Sequence, residues 1–225
     1  MSFFIAEVSS NHSRDIDRAI EFIDSASKVG CDAVKFQLFK IEKLFSAEIL
    51  ENSKQHRDRK QWELPLDFVP LLSNRCKEKG IQFSCTPFYL DAVNELESYV
   101  DFYKIASYEL LWDQLLIACA RTGKPVIIST GMANLGEIKH AVKVLRNNNC
   151  EPIVLHCTSA YPTPYKEANL SAIETIRKST GCEAGWSDHT VDPGVVHRAI
   201  PKWDARVIEF HLDLEGKGEE FESGH

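Results

Sequence analysis

The 225-residue sequence lacks any apolar run approaching the ~18 residues that a membrane-spanning helix needs. Its start, Met1 to Glu7, is a brief apolar stretch with no basic flank, too short for the core of a secretion signal. Both absences point to the cytoplasm and away from a membrane. None of the seven cysteines (31, 76, 85, 119, 150, 157 and 182) forms a Cys-x-x-Cys pair, and their number is odd. Reduced thiols fit this pattern better than a disulfide framework or a zinc ribbon. A basic excess is missing too: 26 Lys and Arg against 33 Asp and Glu leave a net charge of −7. A general nucleic-acid binder, or a protein of anionic membranes, would carry a basic face, so neither partner is expected. No Gly-x-Gly-x-x-Gly follows the first apolar run, which weakens a dinucleotide-binding fold.

What is present is an alternation. Short apolar runs at about 3–8, 32–37, 81–86, 102–107, 125–130, 152–158, 182–187 and 206–212 read as eight strands. Helical patterns lie between them. Ile16 to Ile23 leads to Gly30, Leu66 to Lys79 ends at Gly80, and Leu111 to Ala120 precedes Gly123. Ile138 to Leu145 has Asn134 as its N-cap with Glu137 three residues on, an approximate capping box, and Ala172 to Ile176 follows Asn169 in the same manner. Val195 to Ile200 forms a last, shorter helix.

Repeated strand–helix units demand a parallel sheet, and eight of them fit an α/β fold closed into a (β/α)8 TIM barrel. An open doubly wound sheet is the runner-up. One domain over 1–225 is expected. The charged segment from Leu38 to Pro65 reads as an extended loop or lid after strand two. The chain stops soon after strand eight, so a closing eighth helix is expected to be missing, and the Gly- and Glu-rich stretch from Glu215 to His225 reads as a loop.

In a barrel the active site forms at the C-terminal strand ends. Those ends are polar here: Glu7, Lys35 and Gln37, Thr86, Lys104 with Ser107 and Glu109, Ser129, Ser159 and Tyr161, Ser187 and His189, Glu209 and His211. Lys and Glu are seldom buried unpaired, so such a ring implies a polar, charged ligand. Two lysines and several hydroxyls suit a phosphate and a carboxylate. His189 and His211, on neighbouring strands, suit a divalent metal such as Mn²⁺, Zn²⁺ or Fe²⁺.

Several motifs occur in order: Glu7 with Asn11 and His12, Lys35-x-Gln37, Thr86-Pro87-Phe88, Lys104 with Ser107, Ser129-Thr130-Gly131-Met132, His156-Cys157-Thr158 before Tyr161 to Tyr165, and Ser187-Asp188-His189-Thr190. Together they resemble the N-acetylneuraminate (sialic acid) synthase family, which includes pseudaminic and legionaminic acid synthases and spore-coat polysaccharide homologues. The resemblance spans nearly the whole chain. It implies a barrel that condenses phosphoenolpyruvate with an N-acylated amino sugar, such as N-acetylmannosamine, and releases phosphate. It also implies a divalent cofactor, Mn²⁺ first, with Mg²⁺, Co²⁺ or Zn²⁺ as alternatives, bound by His189 and His211. By motif, Lys35, Thr86 and Ser129 would hold the phosphoenolpyruvate carboxylate, and Lys104, Ser107 and Ser187 its phosphate. Gln37, Glu109 and Tyr161 would face the sugar, with Glu7 near the reacting carbons. Lys35, Glu7, Glu109 and His189 form the catalytic set. Ser159 stands where the family often has Asn at a phosphate contact. The family suggests a homodimer, and many members carry a C-terminal antifreeze-like domain that this chain is expected to lack.

Plainer readings compete. His156 lies mid-strand and suits packing. His12, His56, His140, His197 and His225 suit structural or exposed roles, and Trp62, Trp112 and Trp203 suit packing. Lys104 or Lys35 could instead serve a Schiff-base aldolase. A catalytically degenerate barrel kept as a binding subunit is the non-enzyme alternative.

Overall fold

Strand periodicity decides what this fold places inside. The computed structural model describes residues 2–217. It contains β1 (Phe3–Ser9), β2 (Ala33–Leu38), β3 (Gln82–Pro87), β4 (Tyr103–Ile105), β5 (Val126–Ser129), β6 (Ile153–Cys157), β7 (Ala184–Asp188) and β8 (Val207–His211). All eight fall within a few residues of the spans expected from apolar runs. They form one sheet in the order β3-β2-β1-β8-β7-β6-β5-β4, and every named pairing is parallel. The two edges approach each other through a bridge between Ser84 and Phe102, where the Ser84 hydroxyl donates to the Phe102 carbonyl at 2.9 Å. The result is a nearly closed barrel.

Side chains alternate across each strand. One set points outward into a large core shared with the helices, including Val34, Phe36, Phe83, Val154 and Trp186. The other set points at the barrel axis in tiers. Ile5, Ala33, Phe102, Ile127, Leu155 and Val207 form an apolar plug. Two residues further along five of these strands stand Glu7, Lys35, Lys104, Ser129 and Glu209, all buried. The plug carries the packing, and the next tier carries the charge.

Among the described residues seven helices lie around the barrel: α1 (Ile16–Val29), α2 (Phe68–Lys79), α3 (Leu90–Leu96), α4 (Asp113–Arg121), α5 (Leu135–Arg146), α6 (Ser171–Thr180) and α7 (Pro193–Trp203). Helix α1 is capped by the Asp15 carboxylate, which accepts from the Asp17 and Arg18 N–H groups, and it stops at Gly30 with φ +89°. The expected capping box of α5 is present in full between Asn134 and Glu137. Asn169 does not cap α6. It takes a left-handed φ of +43°, and the cap position belongs to Leu170, which has no side-chain oxygen to offer.

Two segments differ from expectation. Helix α3 has only seven residues, too few for a 3.6-residue period to stand out in the sequence. The segment after β2 is no extended loop. It holds short helices at Ile41–Leu44, Ala47–Asn52 and Lys54–Asp58 and a 3-10 turn at Arg59–Trp62. The hydroxyls of Ser46 and Ser53 accept N–H groups at the starts of the second and third, local caps hidden inside a charged run. Among the described residues no helix follows β8. Phe4 and Phe210 instead line a groove of about 800 Å³ between α1 and α7. His225 and the end of the chain beyond Lys217 lie outside the described residues. No described helix is long and apolar enough to cross a membrane.

Candidate active site

The site is built on the charged tier. In register, Glu7 of β1 lies beside Lys35 of β2 and His211 of β8, while Ser187 of β7 lies beside Glu209. Lys35 Nζ sits 3.0 Å from Glu7 Oε2 and 3.4 Å from Glu209 Oε2. Lys104 Nζ sits 3.0 Å from Glu209 Oε1, and the Ser187 hydroxyl donates to that same oxygen at 2.9 Å. Gln37 Nε2 donates to Glu7 Oε1 at 2.5 Å, and Lys35 Nζ to Thr86 Oγ1 at 3.4 Å. Two lysines and two carboxylates therefore form one buried network drawn from four strands.

Burial sets the proton affinities here, and neighbouring charges then split them. Desolvation raises the Glu7 carboxyl, and Glu209 adds to this while Lys35 opposes it. For Glu209 desolvation also pushes upward, but Lys104 and Lys35 outweigh it and hold the carboxyl well below the usual range. Burial lowers the Lys104 ammonium. It also pulls Lys35 down, yet Glu209 and Glu7 together leave Lys35 above its ordinary value. Glu209 is thus the stronger acid of the two carboxyls, and Glu7 the weaker.

Beside the network lies a cradle of hydroxyls. The Ser107 hydroxyl accepts the Gly131 N–H at 3.0 Å. A Cβ on Gly131 would come within 2.2 Å of Ser159 Oγ and 2.9 Å of Ser107 Oγ, so only glycine leaves this pocket open. Ser129 Oγ is buried with no hydrogen-bond partner, an orphaned donor facing a ligand-sized space.

The two histidines meet at the rim of the barrel, ring centroids 5.6 Å apart. His189 Nδ1 lies 2.7 Å from the Thr158 carbonyl, which can only accept, so Nδ1 carries the proton. Nε2 then presents its lone pair, and the Tyr161 hydroxyl donates to it at 2.8 Å. Tyr161 stacks on the ring at 4.0 Å, and burial holds its phenol protonated. A backbone-anchored Nδ1 that leaves Nε2 without a proton is the tautomer that metal-binding imidazoles adopt. Among the described residues no cluster of three or more His, Cys, Asp or Glu is placed to hold a metal, so protein ligation would rest on the His189 and His211 pair.

These groups open on one cavity of about 940 Å³. Glu7, Lys35, Gln37, Lys104, Ser107, Ser129, Ser159, Tyr161, Ser187, His189 and His211 all line it. Thr86 reaches the site through Lys35. Glu109 is not among the lining residues; it is buried in the turn after β4, where desolvation raises its carboxyl to about 7 against the pull of Lys104 and Lys35. His156 points outward, its Nε2 2.9 Å from the Ala168 carbonyl and its ring beside Trp186.

Two features escaped the sequence. Glu209 was visible as the residue two before His211 in a strand, a spacing that puts both on the axis, yet its link to both lysines was not. Trp62, expected to pack, is 44% exposed and lines the cavity mouth together with Arg14 and Arg59. Trp112 and Trp203 do pack against the outer core.

Comparison with known proteins places this geometry. The chain is 41% identical over 219 residues to an uncharacterized protein of Methanocaldococcus jannaschii, covering 95% of this chain and 63% of that protein. It is 34% identical to the N,N'-diacetyllegionaminic acid synthase of Campylobacter jejuni, covering 95% and 68%. It thus spans about two thirds of the length of these relatives. The crystal structure of N-acetylneuraminic acid (sialic acid) synthetase from Leptospira borgpetersenii superposes with a TM-score of 0.91 at 33% identity, over 100% of this chain and 78% of that one. The family model described as NeuB family matches residues 22–223, which take in β2 to β8, and the chain belongs to that family.

Proposed function

We propose that this chain condenses phosphoenolpyruvate with an N-acylated amino sugar to give a nonulosonic acid and phosphate. The observation that carries this reading is the buried Lys35–Glu7–Glu209–Lys104 network beside an open hydroxyl cradle. Such a site suits a small ligand bearing a carboxylate and a phosphate. Relatives named legionaminic and pseudaminic acid synthases support it.

In this reading Lys35, Thr86 and Ser129 hold the donor carboxylate. Lys104, Ser107, Ser159 and Ser187 hold its phosphate. Gln37 and Tyr161, which line the cavity, serve the sugar, and Glu109 acts on the site through its charge interaction with Lys104 and Lys35. The donor's C3 forms the new carbon–carbon bond to the sugar carbonyl, whose oxygen gains a proton; water adds at C2 and phosphate leaves. Glu7, the weaker acid of the two network carboxyls, handles the proton nearest the reacting carbons. His189 and His211 fit a divalent cation, Mn²⁺ before Mg²⁺, Co²⁺ or Zn²⁺, through the anchored tautomer of His189. When bound, the cation supplies Lewis acidity at the acceptor carbonyl. We place the protein in the cytoplasm, where phosphoenolpyruvate is made, as a homodimer.

Calorimetric titration of phosphoenolpyruvate, with Mn²⁺ and then with EDTA, tests this on wild type and His211→Ala. Micromolar binding that needs both metal and His211 is expected. No binding by a folded sample would sink the synthase reading.

One observation favours a second reading. Burial lowers the Lys104 ammonium, as an imine-forming lysine requires. The Glu209 contact at 3.0 Å works against it by holding the charge. Borohydride trapping of pyruvate on Lys104 would support the aldolase.

A further inference from the structure

Five cationic side chains line the cavity: Arg14, Arg18, Lys35, Arg59 and Lys104. Three are matched by carboxylates. Lys35 and Lys104 belong to the buried network. Arg18 forks onto Glu215 with contacts of 2.6 and 3.0 Å. Among the described residues Arg14 and Arg59 form no ion pair. The floor of the cavity, with two lysines against Glu7 and Glu209, is balanced; the mouth carries two positive charges that are not.

The two arginines are linked through the backbone beside Arg59. Arg14 Nη1 donates to the carbonyl of Lys60, the residue after Arg59, at 3.1 Å. The Arg59 guanidinium lies over the Phe45 ring at 5.6 Å and over the Trp62 ring at 5.7 Å, which orients its planar fork. Its Nε is buried without a hydrogen-bond partner. An unpaired buried donor is costly, and an incoming acceptor would relieve it. Arg14 carries a second cost. Its φ is +56°, in the left-handed region that favours glycine. Backbone strain of this kind concentrates where a side chain is needed by a ligand.

The chemistry on offer at the mouth is specific. Two guanidinium groups match a phosphate dianion through paired N–H donors. The exposed indole of Trp62 beside them offers a face for a sugar ring. The cavity, at about 940 Å³, holds both this pair and the floor network within one space.

We infer that Arg14 and Arg59 form a second anion subsite, and that the acceptor is a sugar phosphate whose phosphoryl group seats there while its carbonyl end points to the barrel floor. The inference deepens the synthase reading and rests on it. It separates the roles of two phosphates: the donor's is lost at the floor, and the acceptor's is retained at the mouth.

Calorimetry on the full chain tests it with two probes, N-acetylmannosamine 6-phosphate and N-acetylmannosamine. The wild type is expected to bind the phosphorylated sugar at least tenfold more tightly. Arg14→Gly removes a guanidinium while relieving the left-handed backbone, so the variant folds. It should cut the preference severalfold, as should Arg59→Gln, and the double variant should erase it. Equal affinity of the wild type for both sugars would overturn the subsite. A preference that survives in the double variant would also overturn it, because the phosphate would then be held by the floor lysines. Phosphoenolpyruvate titrated into the same wild-type sample reports on the synthase reading separately. Its failure to bind would sink that reading, whereas the ratio of the two sugars is read without it.

Discussion

Lys104 and Glu209 stand 105 residues apart in the chain and meet at 3.0 Å in the barrel. The same carboxylate reaches Lys35 at 3.4 Å with its other oxygen. Glu209 is thus the shared counter-ion of two buried lysines, and the charge of the whole tier depends on it.

Glu209→Gln keeps the shape and removes the charge. Two buried ammonium groups would then lean on Glu7 alone. Removing one partner from a buried ion pair typically costs roughly 3–5 kcal/mol. Urea denaturation at pH 7 should show a loss of that size. A change under about 1 kcal/mol would mean that the lysines are better solvated than the packing indicates.

Glu109 gives a pH signature. An ordinary glutamate titrates near 4.5, and burial raises this one to about 7. Between those values the folded state binds more protons than the unfolded state. Stability should therefore fall as pH rises from 4.5 to 7, by up to roughly 3 kcal/mol from this group. Denaturation midpoints across that window, compared with Glu109→Gln, test the point. The variant should flatten the slope, and an unchanged slope would assign it to other groups.

Two glycines should behave in opposite ways. A Cβ on Gly131 meets the hydroxyls of Ser159 and Ser107, which can rotate aside, and the Ser107 Cβ at 3.3 Å, which needs a shift of only a few tenths of an ångström. Gly131→Ala should fold with a stability change under about 1 kcal/mol, yet lose at least tenfold in phosphoenolpyruvate affinity. A Cβ on Gly185 would sit 2.1 Å from the Val207 carbonyl oxygen, in the backbone of the neighbouring strand. Gly185→Ala should destabilise by about 1–3 kcal/mol or more, the cost of forcing strands apart. Thermal melts and donor titrations on both variants separate the cradle from the wall.

The Thr158 carbonyl anchors the His189 ring, whereas the Tyr161 hydroxyl occupies its Nε2 and the Tyr161 ring stacks on it. His189→Ala should cost at least hundredfold in Mn²⁺ affinity, followed by electron paramagnetic resonance titration. Tyr161→Phe should cost far less, because the lone pair and the anchor both remain. Equal losses would show that Tyr161 holds the ring in place.

Much of this architecture was legible in the chain. Eight apolar runs separated by amphipathic stretches define strands and helices, because a parallel strand buried on both sides must be apolar and its crossover must hide one face. The two-residue period already puts Lys35 with Gln37, and Glu209 with His211, on the same side of their strands. Local chemistry also sufficed for the Asn134 capping box. The seven-residue helix and the serine-capped turns within the charged segment 38–65 were not legible, since short elements carry too few residues for a period to emerge.

What the sequence by itself determined is which residues face the axis: that follows from alternation along each strand. Which of them touch was decided only by the tertiary structure. The relative register of the strands sets Glu7 beside Lys35 and His211, and brings Glu209 between the two lysines. No pattern along one strand contains that offset. Proton affinities follow the same division, because desolvation and the charge of a neighbour exist only once the barrel has closed. The mouth is the furthest case: Arg14 comes from the loop after β1 and Arg59 from the segment after β2, and only the closed fold puts one guanidinium against the carbonyl next to the other.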